Sequence, residues 1–177
     1  MILIILYRRG WKATLARSNE DPKLNCQRLK NPWTSRSLRK LVAPTVCFLM
    51  KTRLDIEGFN NLYGNLHFPN KIIVKHQDSG GGLAFLWGDD IKLEVVNYTA
   101  NHVLARVTEE DGFVWFMIGF YGWLEKQQKF KSWKLLEHLK TYVEGPWLCF
   151  GDFNAILHSS EKQSTRQPHT AQINAFR

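Results

Sequence analysis

Apolar and polar positions along this chain follow two periods. Short apolar runs recur at Thr45 to Met50 (TVCFLM), Lys71 to Val74 and Leu83 to Trp87. Their length and their β-branched and aromatic content predict buried strands. Ile91 to Thr99 alternates instead, with Ile91, Leu93 and Val95 set against Lys92, Glu94 and Val96, as in a strand with one face buried. His102 to Thr108 and Phe113 to Tyr121 read as a hairpin. Glu109-Glu110-Asp111-Gly112 joins them, and Gly112 is free to take a positive φ.

A helical period appears twice. Ser132 is expected to open the stronger helix, in which Trp133, Leu136, Leu139 and Val143 form an apolar stripe widened by Leu135 and Tyr142. Lys131, Lys134, Glu137 and Lys140 stay off the stripe, and Gly145-Pro146 ends the segment before a final apolar run, Trp147 to Phe150. Nearer the start, Thr34 is a candidate N-cap for Leu38, Leu41 and Val42, with Pro44 as the stop. The order of helix, strand, several antiparallel strands, helix, strand predicts an α/β sandwich with mixed sheets, not a regular βαβ repeat.

Composition narrows this to one ordinary globular domain. The chain has 177 residues, 44% hydrophobic and 23% charged. Met1 to Tyr7 is apolar and followed by Arg8-Arg9. The run is far shorter than the ~18 residues that span a bilayer. Its positive charge also lies on the wrong side for a secretory signal. It reads as a strand or as a poorly ordered extension, so residues 1–20 are set apart from a domain over 21–177, and no membrane association is expected. The three cysteines, Cys26, Cys47 and Cys149, are widely spaced with no C-x-x-C pair, which predicts a reducing intracellular compartment, cytoplasmic or nuclear.

The net charge of +8 changes the picture most. A basic surface attracts polyanions, of which nucleic acid is the commonest, although a basic protein with no such partner fits composition equally well. Lys23 to Lys40 is the densest basic segment. Trp115, Phe116, Phe120 and Trp123 could stack on bases, but aromatics at strand spacing more often build core. Ser79-Gly80-Gly81-Gly82-Leu83 could cradle a phosphate; without a P-loop lysine it reads better as a structural turn. A catalytic His102 is the weaker of two readings for that residue.

The sharpest chemical signal is Gly151-Asp152-Phe153-Asn154, just past the last apolar run. If extended geometry continued, Asp152 and Asn154 would point to one side, a proton acceptor beside a neutral donor. The alternative is a plain turn, where Asp and Asn are both common.

Several ordered segments together resemble the endonuclease/exonuclease/phosphatase, or DNase I-like, family. The wording is that of plant non-LTR retrotransposon proteins. Leu24 to Pro32 (LNCQRLKNP) is similar to the family's "WNCRGLGNP", Val46 to Thr52 (VCFLMKT) to "FLMET", and Ser79 to Trp87 (SGGGLAFLW) to "SGGLALLW". Gly119 to Gly122 (GFYG), the Ser132 helix and GDFN complete the series. The resemblance implies a two-sheet sandwich flanked by helices that cleaves phosphodiester bonds with Mg²⁺ or Mn²⁺. Matched by motif, Asn25 is the amide near metal and phosphate, and Tyr121 the hydroxyl on the scissile phosphate. Asp152 is the carboxylate that orients or deprotonates water, and Asn154 the amide that positions phosphate and Asp152.

Three departures qualify the resemblance. Lys51 stands at the position of the metal-ligating glutamate in "FLMET". A protonated lysine has donors only and cannot ligate a hard cation. It also repels one, by roughly 4 kcal/mol at 4 Å and an effective dielectric near 20. A pairing of Lys51 with Asp152 would put a fixed charge in the metal's place. Secondly, the family's closing "SDH" segment has no counterpart before Arg177, so the sandwich is expected to be incomplete at the C-terminus, with an exposed sheet edge. Thirdly, Pro22, Leu24 and Arg28-Leu29-Lys30 break the first-strand pattern, which leaves that strand short or replaced by Met1 to Tyr7. The expectation is a metal-dependent endonuclease domain with little or no activity. The alternatives are a nucleic-acid-binding module without catalysis, with DNA as partner, and a pseudogene product.

Overall fold

A computed structural model describes residues 3–7, 14–16, 45–52, 55–64, 68–75 and 82–155. Among the described residues nine strands make two sheets. The first contains β1 (Leu3–Tyr7), β2 (Thr14–Ala16), β3 (Val46–Met50), β4 (Asn70–Val74) and β5 (Leu83–Trp87), in the order β2-β1-β3-β5-β4, every pair antiparallel. The second contains β6 (Lys92–Thr99), β7 (His102–Thr108), β8 (Val114–Tyr121) and β9 (Trp147–Asp152), in that order, with β9 parallel to β8. Helix α1 (Ile56–Tyr63) follows β3, and α2 (Lys129–Lys140) carries the chain from β8 back to β9. The opening apolar run is thus a strand, pairing Leu3 to Tyr7 with Met50 to Val46. Asn25, Cys26, the Thr34 helix and Gly80-Gly81 lie outside the described residues.

The sandwich closes because each central strand is apolar on the facing side. Val46, Phe48 and Met50 of β3, Leu83 and Phe85 of β5, Val103, Ala105 and Val107 of β7, Met117 and Tyr121 of β8, and Phe150 of β9 form the core between the sheets. Phe150 crosses the gap, its ring 5.7 Å from Phe48 and 6.3 Å from Phe85. Gly119 makes room for this. A Cβ there would stand 2.8 Å from the Phe48 ring, closer than side-chain packing allows. The opposite face of the second sheet, Leu104, Phe116, Ile118 and Phe120, is covered by Leu135, Leu136 and Leu139 of α2. That accounts for the apolar stripe, which needed a sheet to cover.

The hairpin turn forms as expected: Gly112 has φ +84°, and its N–H donates to the Glu109 carbonyl at 3.0 Å. One expectation is corrected and one helix was missed. Helix α2 begins at Lys129, and Ser132 is buried inside it, where its hydroxyl accepts the Trp123 N–H at 3.0 Å instead of capping the helix. The β6 alternation holds through Val96, which is exposed as the pattern implied, while the pairing register with β7 shifts at a bulge between Val95 and Asn97. Helix α1 went unread. Its N-cap Asp55, which accepts the Gly58 N–H at 2.8 Å, was the available signal. No helix among the described residues is long and apolar enough to cross a membrane.

Candidate active site

Parallel pairing of β8 with β9 sets the geometry. The register runs from Phe116 opposite Trp147 to Tyr121 opposite Asp152, so the GFYG and GDFN segments end side by side at one edge. Strand alternation turns Tyr121 and Asp152 toward the first sheet, on the side of Met117 and Phe150. At the same end β3 finishes, and Lys51 places its ammonium 5.3 Å from the centre of the Tyr121 ring. Three residues that are distant in sequence therefore meet.

Two glycines allow the strand ends to approach. Gly151 has φ +144°, and a Cβ on it would collide with the Phe120 carbonyl oxygen; a Cβ on Gly122 would collide with that of Phe153. The Gly122 N–H donates to the Asp152 carbonyl at 2.8 Å, which carries the pairing one residue past β8. Asn101 braces the other side of Tyr121: its amide donates to the Tyr121 carbonyl at 2.8 Å and its carbonyl accepts the Tyr121 N–H at 2.7 Å.

Past Asp152 the extended path stops, which corrects the extended alternative for GDFN. The Asp152 carboxylate accepts the Asn154 N–H at 2.9 Å, an Asx turn, and Asn154 takes φ +51°. The Asn154 side-chain amide donates to the Gly122 carbonyl at 2.6 Å, and Lys129 donates to the Asn154 carbonyl at 2.7 Å. Asn154 thus ties the GDFN turn to the GFYG turn and to α2. Asp152 is half-buried, and its second carboxylate oxygen has no protein donor among the described residues. The pairing of Lys51 with Asp152 does not form: no ion pair joins them, and the ammonium sits on the aromatic face instead.

The Tyr121 side chain is 7% exposed, and its hydroxyl is buried without a hydrogen-bond partner among the described residues. Such a group is costly to leave unmade, which makes it informative about what the site awaits. Lys51 and Asn154, the two non-glycine residues with positive φ among those described, flank it from opposite sheets. Left-handed backbone on such residues is strained and gathers at functional sites.

The remaining candidates lie elsewhere. His102 is buried on the α2 side of β7. Its Nδ1 lies 2.9 Å from the Thr99 hydroxyl, and burial, followed by the nearby His138 charge, pushes its pKa down to about 4. It does not face Tyr121. Phe116 and Phe120 are core and are not open to bases; Trp115 donates to Glu109 at 2.9 Å. Burial raises the Cys47 and Cys149 thiols to about 12, which leaves them inert as nucleophiles.

Against known proteins, no family model and no curated protein match the chain. Two crystal structures of TDP2 from Caenorhabditis elegans, one of them the selenomethionine form, match in fold with a TM-score of 0.50 each and 12% identity. The fold is DNase I-like. The two comparisons cover 95% and 94% of this chain and 51% of the TDP2 chain, so the chain spans about half the length of those structures. Identity this low carries the architecture alone.

The donor set does not suit a divalent cation. Asp152 is the acidic group described at the site, the nearest partner from β3 is an ammonium, and no three His, Cys, Asp or Glu side chains converge among the described residues. A hard cation needs several anionic or neutral oxygen ligands, and Lys51 offers a charge of the same sign. Asn25 lies outside the described residues.

Proposed function

We propose that this chain is a DNase I-like endonuclease domain of retroelement type, with the wording of plant non-LTR retrotransposon proteins, whose Mg²⁺- or Mn²⁺-dependent cleavage of DNA is reduced to little or nothing. The carrying observation is the Lys51 ammonium, 5.3 Å from the Tyr121 ring centre at the end where Asp152 pairs in register with Tyr121. In this reading Tyr121, Asp152, Asn154 and Asn25 are the inherited phosphodiester site, and Lys51 removes the charge complementarity that holds the cation. An intracellular location, nuclear or cytoplasmic, goes with it. The test is a plasmid nicking assay in Mg²⁺. The expected result is no cleavage above background; cleavage that disappears in Asp152→Ala would overturn the proposal.

Charge favours a second reading, nucleic-acid binding without cleavage. Lys126, Lys129, Lys131 and Lys134 follow one another along the turn before α2 and its first turns in a chain of net charge +8, and Lys129 is tied to Asn154 of the GDFN turn. This reading predicts DNA affinity that survives EDTA and falls steeply as salt is raised. Absent or salt-insensitive binding would remove it.

A further inference from the structure

Helix α2 covers the second sheet with one side and turns the other to solvent. Ser132 and Leu139 are buried on the covered side, where Leu135 and Leu136 also pack. Phe130 stands nine positions before Leu139, which at about 3.6 residues per turn puts it on the opposite side of the helix, and it is 52% exposed. Leu124, in the segment between β8 and α2, is 56% exposed. Two large apolar side chains are therefore held in water within one short stretch. The same stretch is basic. Lys126, Lys131 and Lys134 are exposed, Lys129 is half-buried and donates to the Asn154 carbonyl, and Glu125 is the one acid among them. The Lys134 ammonium lies 5.4 Å from the centre of the Phe130 ring, so cation and apolar surface share one patch.

We propose that the stretch from Leu124 to Lys134 docks on the surface of an anionic lipid bilayer. Leu124 and Phe130 enter the boundary between headgroups and acyl chains, which removes their apolar surface from water. Lys126, Lys131 and Lys134 meet the anionic headgroups, and their aliphatic stems lie along the same boundary. Charge selects an anionic partner, and the apolar pair selects a bilayer over a nucleic acid. A nucleic-acid backbone would engage the lysines and leave Leu124 in water, because an aliphatic side chain has no face on which a base can stack. The partner thus differs from that in the nucleic-acid reading of the same lysines, and the contact is independent of the phosphodiester site. It departs from the sequence expectation of no membrane association, which addresses spanning and secretory segments; here the chain lies on the surface.

Co-sedimentation of the purified chain in EDTA with phosphatidylcholine vesicles, with and without phosphatidylserine, measures this contact. Binding to the phosphatidylserine vesicles is expected, and it should weaken as salt is raised. Phe130→Gln and Leu124→Gln should each reduce it roughly fivefold or more, whereas Phe130→Leu should retain it. Lys126→Gln, Lys131→Gln and Lys134→Gln should each cost about fivefold, as expected for a lysine near an anionic surface. Tyr98→Gln alters a comparably exposed aromatic on β6 and should bind as the parent does. All of these side chains are exposed, so melting temperatures should stay near that of the parent, and lost binding is then not lost folding. A single-stranded oligonucleotide in the same buffer is the rival probe. Absence of vesicle binding would overturn the proposal, and oligonucleotide binding in that case would assign the lysines to nucleic acid. Equal binding to vesicles with and without phosphatidylserine, or parent-like binding in both Phe130→Gln and Leu124→Gln, would overturn it as well.

Discussion

Where Thr45 opens β3, Asp89 and Asp90 follow β5, and Glu109 and Glu110 follow β7, an acidic cleft of about 230 Å³ lies between the sheets. Its polar groups are largely spoken for. The Thr45 hydroxyl donates to Asp90 at 3.0 Å, Asn70 to Asp89 at 2.9 Å, and the Trp115 indole to Glu109 at 2.9 Å. At the other end of the same strands stand Lys51, Tyr121 and Asp152, with, among the described residues, a buried hydroxyl unpartnered, a cation without an ion pair and two strained non-glycine residues. Among the described residues, one end is satisfied by its own side chains and the other is not. In a folded protein that contrast marks which end serves stability and which serves a ligand.

The largest effect that would sharpen the contrast comes from glycines. Gly151→Ala drives a Cβ into the Phe120 carbonyl at φ +144° and should cost about 3 kcal/mol or more in urea denaturation. Gly112→Ala, at the acidic end, meets nothing within 4 Å and should cost only about 1 kcal/mol for its positive φ. Equal losses would mean that the site end is no more tightly specified than a surface turn.

Side-chain partners give the next effect, with opposite signs. Asp90→Ala strands the buried Thr45 hydroxyl and should destabilise by about 1–3 kcal/mol. Tyr121→Phe removes a hydroxyl that has no partner and should leave stability within about 0.5 kcal/mol of the parent, or raise it. A large loss in Tyr121→Phe would show that the hydroxyl is internally satisfied, and the two ends would no longer differ.

Acid titration tests the helix-covered face between them. His102 is held neutral in the fold down to about pH 4, whereas the unfolded chain protonates it near its ordinary value of 6.5. In that window the unfolded state binds more protons, so stability falls as pH drops from about 6.5 to about 4 and then levels. His102→Leu should flatten that limb. The smallest effect is chemical: Cys47 and Cys149, with thiols raised to about 12, should resist iodoacetamide at neutral pH until the chain unfolds, as read by peptide mass mapping.

Legibility differed by element for physical reasons. β3, β5, the β7–β8 hairpin and β9 could be read because each buries a continuous or alternating apolar set. The start of α2 was displaced because its N-cap, Gln128, makes no side-chain cap bond, so Ser132 looked the better start. Helix α1 has a cap at Asp55 and Ile56, Phe59 and Tyr63 at helical spacing, but its eight residues span only about two turns, too short for the period to stand out. At the candidate site, motif wording singled out Tyr121, Asp152 and Asn154, which strand pairing and the Asn154–Gly122 bond bring close together. The Asx turn was not decidable, since Asp-x-Asn satisfies an extended strand and a turn alike. Nor could sequence show where the Lys51 ammonium rests, because a cation–π contact between residues 70 apart depends on strand register.

The most direct test of the central claim, that Lys51 replaces cation binding at this site, is a Mg²⁺ titration of the parent chain beside Lys51→Glu. The account predicts that the glutamate variant gains measurable Mg²⁺ affinity which the parent lacks. Equal affinity in the two proteins would contradict it.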